Sequence, residues 1–223
     1  MIYIGTTRYN TKTFDEKTKW LERKGWKGCV YGLNKKLPKT LPDYEWCYVV
    51  EMINDKNEIG GIGYIKNEYC PNNRSRIYDE EHYNMYVYKG TKFILREELL
   101  KKNEKMVKYL ETILFTGYTH MKRGIGITLL PYNKIILGDG NHRVRKCSNC
   151  GKPGHNKRSC RRKKRIEIFK LEKSQRLCPK CNKLMYQKGH SIHCSALKKN
   201  KKILLNVIEF FKDLFKNGDV NHQ

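Results

Sequence analysis

Residues 46–66 read WCYVVEMINDKNEIGGIGYIK, and this stretch decides how the first part of the chain folds. Trp46 to Ile53 is WCYVVEMI and Ile59 to Ile65 is IGGIGYI, two short apolar runs with β-branched and aromatic residues. Runs of this length, bounded by polar residues, favour strands over helices. Between them stand Asn54, Asp55, Lys56 and Asn57, whose side chains suit a tight turn, so the two runs should close a hairpin.

Outward from the hairpin, Met85 to Tyr88 (MYVY) and Ile125 to Leu130 (IGITLL) repeat the strand-type pattern. One helix is expected between Arg96 and Phe115, with Leu99, Met106, Leu110, Ile113 and Leu114 on one face and Gly117 just past its end. Several strands with one or two helices predict an α+β or small β-barrel domain over residues 1–140. After Gly138-Asp139-Gly140 the composition changes to short polar segments rich in Lys, Arg, Cys and His, which marks a boundary. A final amphipathic segment, Lys201 to Lys216, puts Ile203, Leu204, Val207, Ile208, Phe211, Leu214 and Phe215 on one helical face. That face can dock on another part of the chain, form a dimer seam or bind a partner.

The chain has 223 residues, enough for one or two compact units. Lys and Arg number 47 against 22 Asp and Glu, a formal charge of +25. Residues 1–140 hold 24 basic and 17 acidic side chains, whereas residues 141–223 hold 23 and 5, so the positive charge is concentrated in the last third. Such an excess attracts phosphate polymers. Among nine cysteines, Cys29, Cys47 and Cys70 are scattered among apolar residues and read as ordinary buried thiols. The other six fall between residues 147 and 194 at metal-ligand spacings. No stretch approaches an apolar membrane span, and MIYIGTTRYN lacks the pattern of a secretory signal, so an intracellular, reducing compartment is expected and no membrane partner.

Cys147, Cys150, His155 and Cys160 make a C-x2-C-x4-H-x4-C spacing. Three thiolates and an imidazole complete a closed tetrahedral zinc shell with no open position for substrate, so the site should be structural. A segment this short cannot bury a core, and the metal would supply its folding energy, on the order of 10 kcal/mol. Gly151 and Gly154 stand where the chain must turn around the ion. Further on, Cys178-Pro-Lys-Cys181 and His190-Ser-Ile-His193-Cys194 offer a second set. Cys178, Cys181, His190 and Cys194 are the ligands expected, with His193 able to replace one of the last two. Two zinc ions per chain follow. Lys152, Lys157, Arg158 and the run Arg161, Arg162, Lys163, Lys164 and Arg165 can neutralise phosphates.

The first cluster resembles the CCHC zinc knuckle of retroviral nucleocapsids and many cellular RNA-binding proteins, whose C-x-x-C-G-x-x-G-H core it matches at every fixed position. That resemblance implies binding of unpaired bases. Knuckles that read bases often carry an aromatic or bulky apolar residue after the first Cys and after the His, where this chain has Ser148 and Asn156. Phosphate contacts should therefore dominate. The second cluster, C-x2-C-x8-H-x3-C, looks like the small ubiquitin-binding zinc fingers of DNA-repair proteins, which would imply a protein-interaction adaptor. Tyr48 to Tyr64 resembles the central hairpin of PUA-like domains, the group with YTH and EVE modules, and implies a small β-barrel that binds RNA, with Trp20, Trp26, Trp46 and the tyrosines available as walls. The order of Lys122-Arg-Gly-Ile-Gly-Ile127, the Arg96 helix and a knuckle looks like uncharacterised zinc-knuckle proteins of nucleocytoplasmic large DNA viruses, which implies a host cytoplasm or viral factory setting.

Gly60-Gly-Ile-Gly63 and Gly124-Ile-Gly126 lack the third glycine and the strand-loop-helix context of a nucleotide-binding turn. His82 and His120 have no identifiable partner, and Asp79, Glu80 and Glu81 read as a solvated loop. The expectation is a non-catalytic nucleic-acid-binding protein, RNA ahead of DNA, with an α+β PUA-like small β-barrel (1–140), a zinc knuckle and basic run (141–165), a second zinc finger (166–197) and a terminal helix (198–217). An RNA-processing enzyme tethered by the knuckle is the alternative.

Overall fold

The structure is a computed structural model describing residues 2–69, 75–117, 120–137 and 195–215, with side chains of the last segment from residue 201. Its strands are β1 (Tyr3–Tyr9), β2 (Cys29–Leu33), β3 (Trp46–Ile53), β4 (Glu58–Lys66), β5 (Tyr86–Gly90), β6 (Lys92–Leu95) and β7 (Thr128–Leu129). Its helices are α1 (Thr11–Lys24), α2 (Arg96–Phe115), α3 (Tyr132–Leu137) and α4 (Ser195–Asp213). The expected hairpin forms as β3 and β4, with Asn57 at φ 58° in its turn. Five strands make one sheet in the order β6-β4-β3-β1-β7, in which β1 runs parallel to β3 and the remaining pairs are antiparallel.

A register shift between Glu51 and Met52 pairs Glu51 with Gly61 and Met52 with Ile59, leaving Gly60 as the extra residue. Side chains alternate along a strand, so Ile59 and Ile62, three apart, would ordinarily face opposite ways. The bulge puts both in one core with Val50 and Met52. On that face α2 contributes Leu99, Val107, Leu110, Ile113 and Leu114, and α4 contributes Val207, Phe210, Phe211 and Leu214. The opposite face carries Cys47, Val49 and Ile65 against α1 and a two-stranded sheet of β2 and β5. Burial on both faces explains why β3 and β4 read as continuous rather than alternating apolar runs.

The expected small β-barrel is not closed. Closure would need β6 and β7 to pair, but β7 has only two residues and α2 follows β6 directly and packs on the sheet. The β2-β5 ribbon does press on the end of β4: a Cβ on Gly90 would lie 2.1 Å from the Tyr64 carbonyl oxygen, so only glycine permits the approach. It adds no hydrogen-bonded strand pairing to the five-stranded sheet.

Two other expectations change in detail. IGITLL contributes a strand only at Thr128–Leu129. Within α2, Asn103 has extended backbone (φ −162°, ψ 83°), and its Oδ1 accepts from Met106 N at 3.0 Å, so it caps a second helix on which Met106 is partly buried. Cys29 and Cys47 are buried as expected, and Cys70 lies outside the described residues. The glycines at 60, 61 and 63 sit inside β4. Among the described residues no helix is long and apolar enough to cross a membrane.

Candidate nucleic-acid interface

Every expected zinc ligand (Cys147, Cys150, His155, Cys160, Cys178, Cys181, His190, Cys194) and every expected phosphate contact (Lys152, Lys157, Arg158, Arg161 to Arg165) lies outside the described residues. What is placed is the frame around them. α3 ends at Leu137 and α4 begins at Ser195, and the two helices pack on each other. α3 is anchored in turn by Tyr132, whose hydroxyl donates to the Ile2 carbonyl, and by Tyr109 of α2, which donates to the Ile135 carbonyl. In the sequence, the expected zinc ligands therefore fall between two helices that pack on one body. Among the described residues no group of three His, Cys, Asp or Glu side chains is placed to hold a metal.

The body has its own polar cleft of about 670 Å³ at the ends of the parallel strands β1 and β3, roofed by the loop through Ile125 and Gly126. Arg8 Nη1 and Asn54 Nδ2 donate to the same Lys122 carbonyl at 3.2 and 3.1 Å, and Lys122 Nζ reaches Asn57 Oδ1 at 2.6 Å, tying that loop down. The first turn of α1 points its N–H groups here, a position that often attracts anions. In this chain they are already used: Asn10 Oδ1 accepts from Thr13 N at 2.8 Å and Asp55 Oδ2 from Thr11 N at 2.8 Å. Among the described residues Asn54 Oδ1 is a buried acceptor without a hydrogen bond, and Glu16 Oε1 has a 3.4 Å ion pair with Lys12. The cleft is thus suited to a hydrogen-bond donor rather than to a phosphate. Glu80 and His82 line it, while Asp79, Glu80 and Glu81 are exposed.

No protein-family model matches this chain. Nor does any curated protein or solved structure match it.

Beneath the cleft lies a buried ion pair between Lys17 Nζ and Glu51 Oε2, with the side chains 2% and 0% exposed. Tyr9, Phe14 and Phe93 present their rings to the ammonium at 5.2, 4.5 and 5.0 Å. Glu51 Oε1 and the Tyr31 hydroxyl are buried beside this pair, and burial raises the tyrosine well above its ordinary value. The Tyr9 and Tyr78 hydroxyls meet at 3.4 Å in the cleft floor, and burial raises both well above the ordinary tyrosine value. Burial likewise pushes the Cys29 thiol up to about 12, so it stays protonated and inert at neutral pH. Sequence reasoning passed over Lys17 and Glu51. Glu51 is the one charge in WCYVVEMI, and a charge inside a buried strand demands a partner, which was the available signal.

Proposed function

We propose that this protein binds single-stranded nucleic acid, RNA ahead of DNA, as a zinc-dependent and non-catalytic factor. One observation carries the reading: the closed ligand set Cys147, Cys150, His155 and Cys160, followed at once by five consecutive basic residues. A saturated zinc shell offers no reactive position, while the adjacent cations supply the sequence-independent part of nucleic-acid affinity. The second set, Cys178, Cys181, His190 and Cys194, holds a second zinc. Anchoring of α3 and α4 on the same body is compatible with the reading, because the basic segment lies between these two helices in the sequence. The net positive charge left by 24 basic against 17 acidic side chains in residues 1–140 does not oppose the approach of phosphate.

The test is an anisotropy titration of the whole protein with a short single-stranded RNA over several salt concentrations, after metal analysis. About two equivalents of zinc are expected, and log K against log salt should fall with a slope of roughly −0.7 per phosphate neutralised, about −3.5 for five contacts. Replacing Arg161, Arg162, Lys163, Lys164 and Arg165 by Ala should flatten that slope and weaken all sequences equally. A variant that keeps the wild-type slope would remove the basic run from the interface, and one equivalent of zinc or less would remove the second site.

A further inference from the structure

At the end of the sheet away from the polar cleft, Trp46 opens β3. Its indole stacks on the Tyr64 ring with centroids 4.7 Å apart and planes at 12°, yet the residue is 45% exposed. One face of the indole is therefore covered and the other is open. The support is fixed from behind: Tyr64 packs on Tyr48 at 4.6 Å, and Phe215 stacks on both, at 5.6 and 5.9 Å. Beside it Tyr44, 65% exposed, is held at φ 64°, a backbone region unfavourable for a bulky residue. Asn67 pins it there. The Tyr44 N–H donates to the Asn67 carbonyl at 2.8 Å, and the buried Asn67 amide donates to the Leu41 and Pro42 carbonyls at 3.0 and 3.1 Å. Lys66, opposite Trp46 in the strand register, sets its ammonium 5.2 Å from the Tyr44 ring centroid and shares it with exposed Glu68 at 3.2 Å.

Large aromatics left open at this cost in exposure and backbone strain need a ligand with flat apolar faces. The adjacent lysine and the formal charge of +25 select one that is also anionic. An unpaired nucleic-acid strand has both properties: bases stack on aromatic rings while a lysine takes the phosphate. We infer that Trp46 is a stacking platform for an unpaired nucleobase, with Tyr44 as a second ring and Lys66 as the phosphate contact. This rests on the proposed nucleic-acid binding and supplies what Ser148 and Asn156 leave out of the knuckle, a hold on bases as well as on phosphates.

The experiment compares whole wild-type protein with Trp46→Ala and Trp46→Phe, each titrated with a short oligouridylate and with an abasic strand of the same length. Thermal melts confirm that the variants are folded. Wild type should bind the base-bearing strand more tightly than the abasic one, and Trp46→Ala should erase most of that difference, roughly a 5- to 100-fold loss. The abasic affinity and the salt slope should stay unchanged, and Trp46→Phe should keep part of the preference. Quenching of tryptophan emission by the oligouridylate should shrink in Trp46→Phe, since Trp20 is buried and the Trp26 indole N–H is held by the Cys29 and Gly90 carbonyls at 3.3 and 3.2 Å. If Trp46→Ala retains the preference for bases, the platform is overturned and the nucleic-acid reading stands. If wild type binds neither strand, both fall.

Discussion

The two faces of the five-stranded sheet are built from different chemistry. Toward α2 and α4 the buried hydrophobic cluster is made of aliphatic, methionine and phenylalanine side chains, Ile4, Val50, Met52, Ile59 and Ile62 against Leu110, Ile113, Phe210 and Phe211. Toward α1 and the β2-β5 ribbon the same sheet buries an ion pair, four tyrosines (Tyr9, Tyr31, Tyr78, Tyr88) and two thiols. The first face is held by area and fit, and should tolerate apolar residues of similar size. The second depends on matched polar groups, where losing one partner strands the other. The polar cleft opens over the second, where polar groups kept at such a cost can shape a surface.

The sharpest way to break this contrast is Glu51→Ala, which strands the Lys17 ammonium and should cost about 3–5 kcal/mol in denaturant unfolding. The double variant Lys17→Met with Glu51→Leu should be near neutral or stabilising, because the pair itself contributes little beyond satisfying its own desolvation. A double variant as unstable as the single one would show that the pair holds the fold up. On the other face Phe211→Ala should cost about 3 kcal/mol, toward the low end for a buried phenylalanine because it sits near the end of α4. No partner substitution should rescue it, as none exists to be matched. A loss under about 1 kcal/mol would mean that α4 contributes little to the fold.

Alkaline pH gives a smaller effect with the same logic. Burial pushes Cys29 and Cys47 up to about 12, both on the polar face, whereas an unfolded thiol titrates near 8.5. Between those values the unfolded chain has released protons that the folded one retains. Stability is therefore full below about pH 8.5 and falls as pH rises toward 12, by at most about 1.4 kcal/mol per pH unit per thiol. Urea midpoints measured from pH 8 upward should show the decline, and Cys29→Ala with Cys47→Ala should flatten it. An unchanged slope in that variant would assign the decline to the buried tyrosines instead.

How much of this was legible follows from what each residue reports. The β3-β4 hairpin could be read because both faces of those strands are buried and the turn is spelled out in Asn54 to Asn57. α1 escaped because its sequence, TKTFDEKTKWLERK, buries little beyond Trp20 and Lys17, so its apolar period is faint and one buried residue looks like a solvent charge. β1 escaped for a similar reason, since Thr6 and Thr7 are buried polar residues inside YIGTTRY. The break at Asn103 was invisible because the apolar spacing continues across it. Closure of the sheet was misjudged because a hairpin specifies its own register and says nothing about which edges meet. The cleft joins strand ends and loops distant in sequence, and Trp46 is a platform only because Tyr64 and Phe215 lie behind it.

The docking of α4 also sets an order of events. Its Val207, Phe210, Phe211 and Leu214 complete a core whose other buried members all lie before residue 138, so until they arrive the aliphatic face stands open to water. Ribosomal synthesis delivers α4 after the rest of this core, with 57 residues, 138–194, in between. Between emergence of β7 and arrival of α4 the nascent chain exposes an apolar surface, a window in which a chaperone, or a second nascent chain, competes with its own last helix.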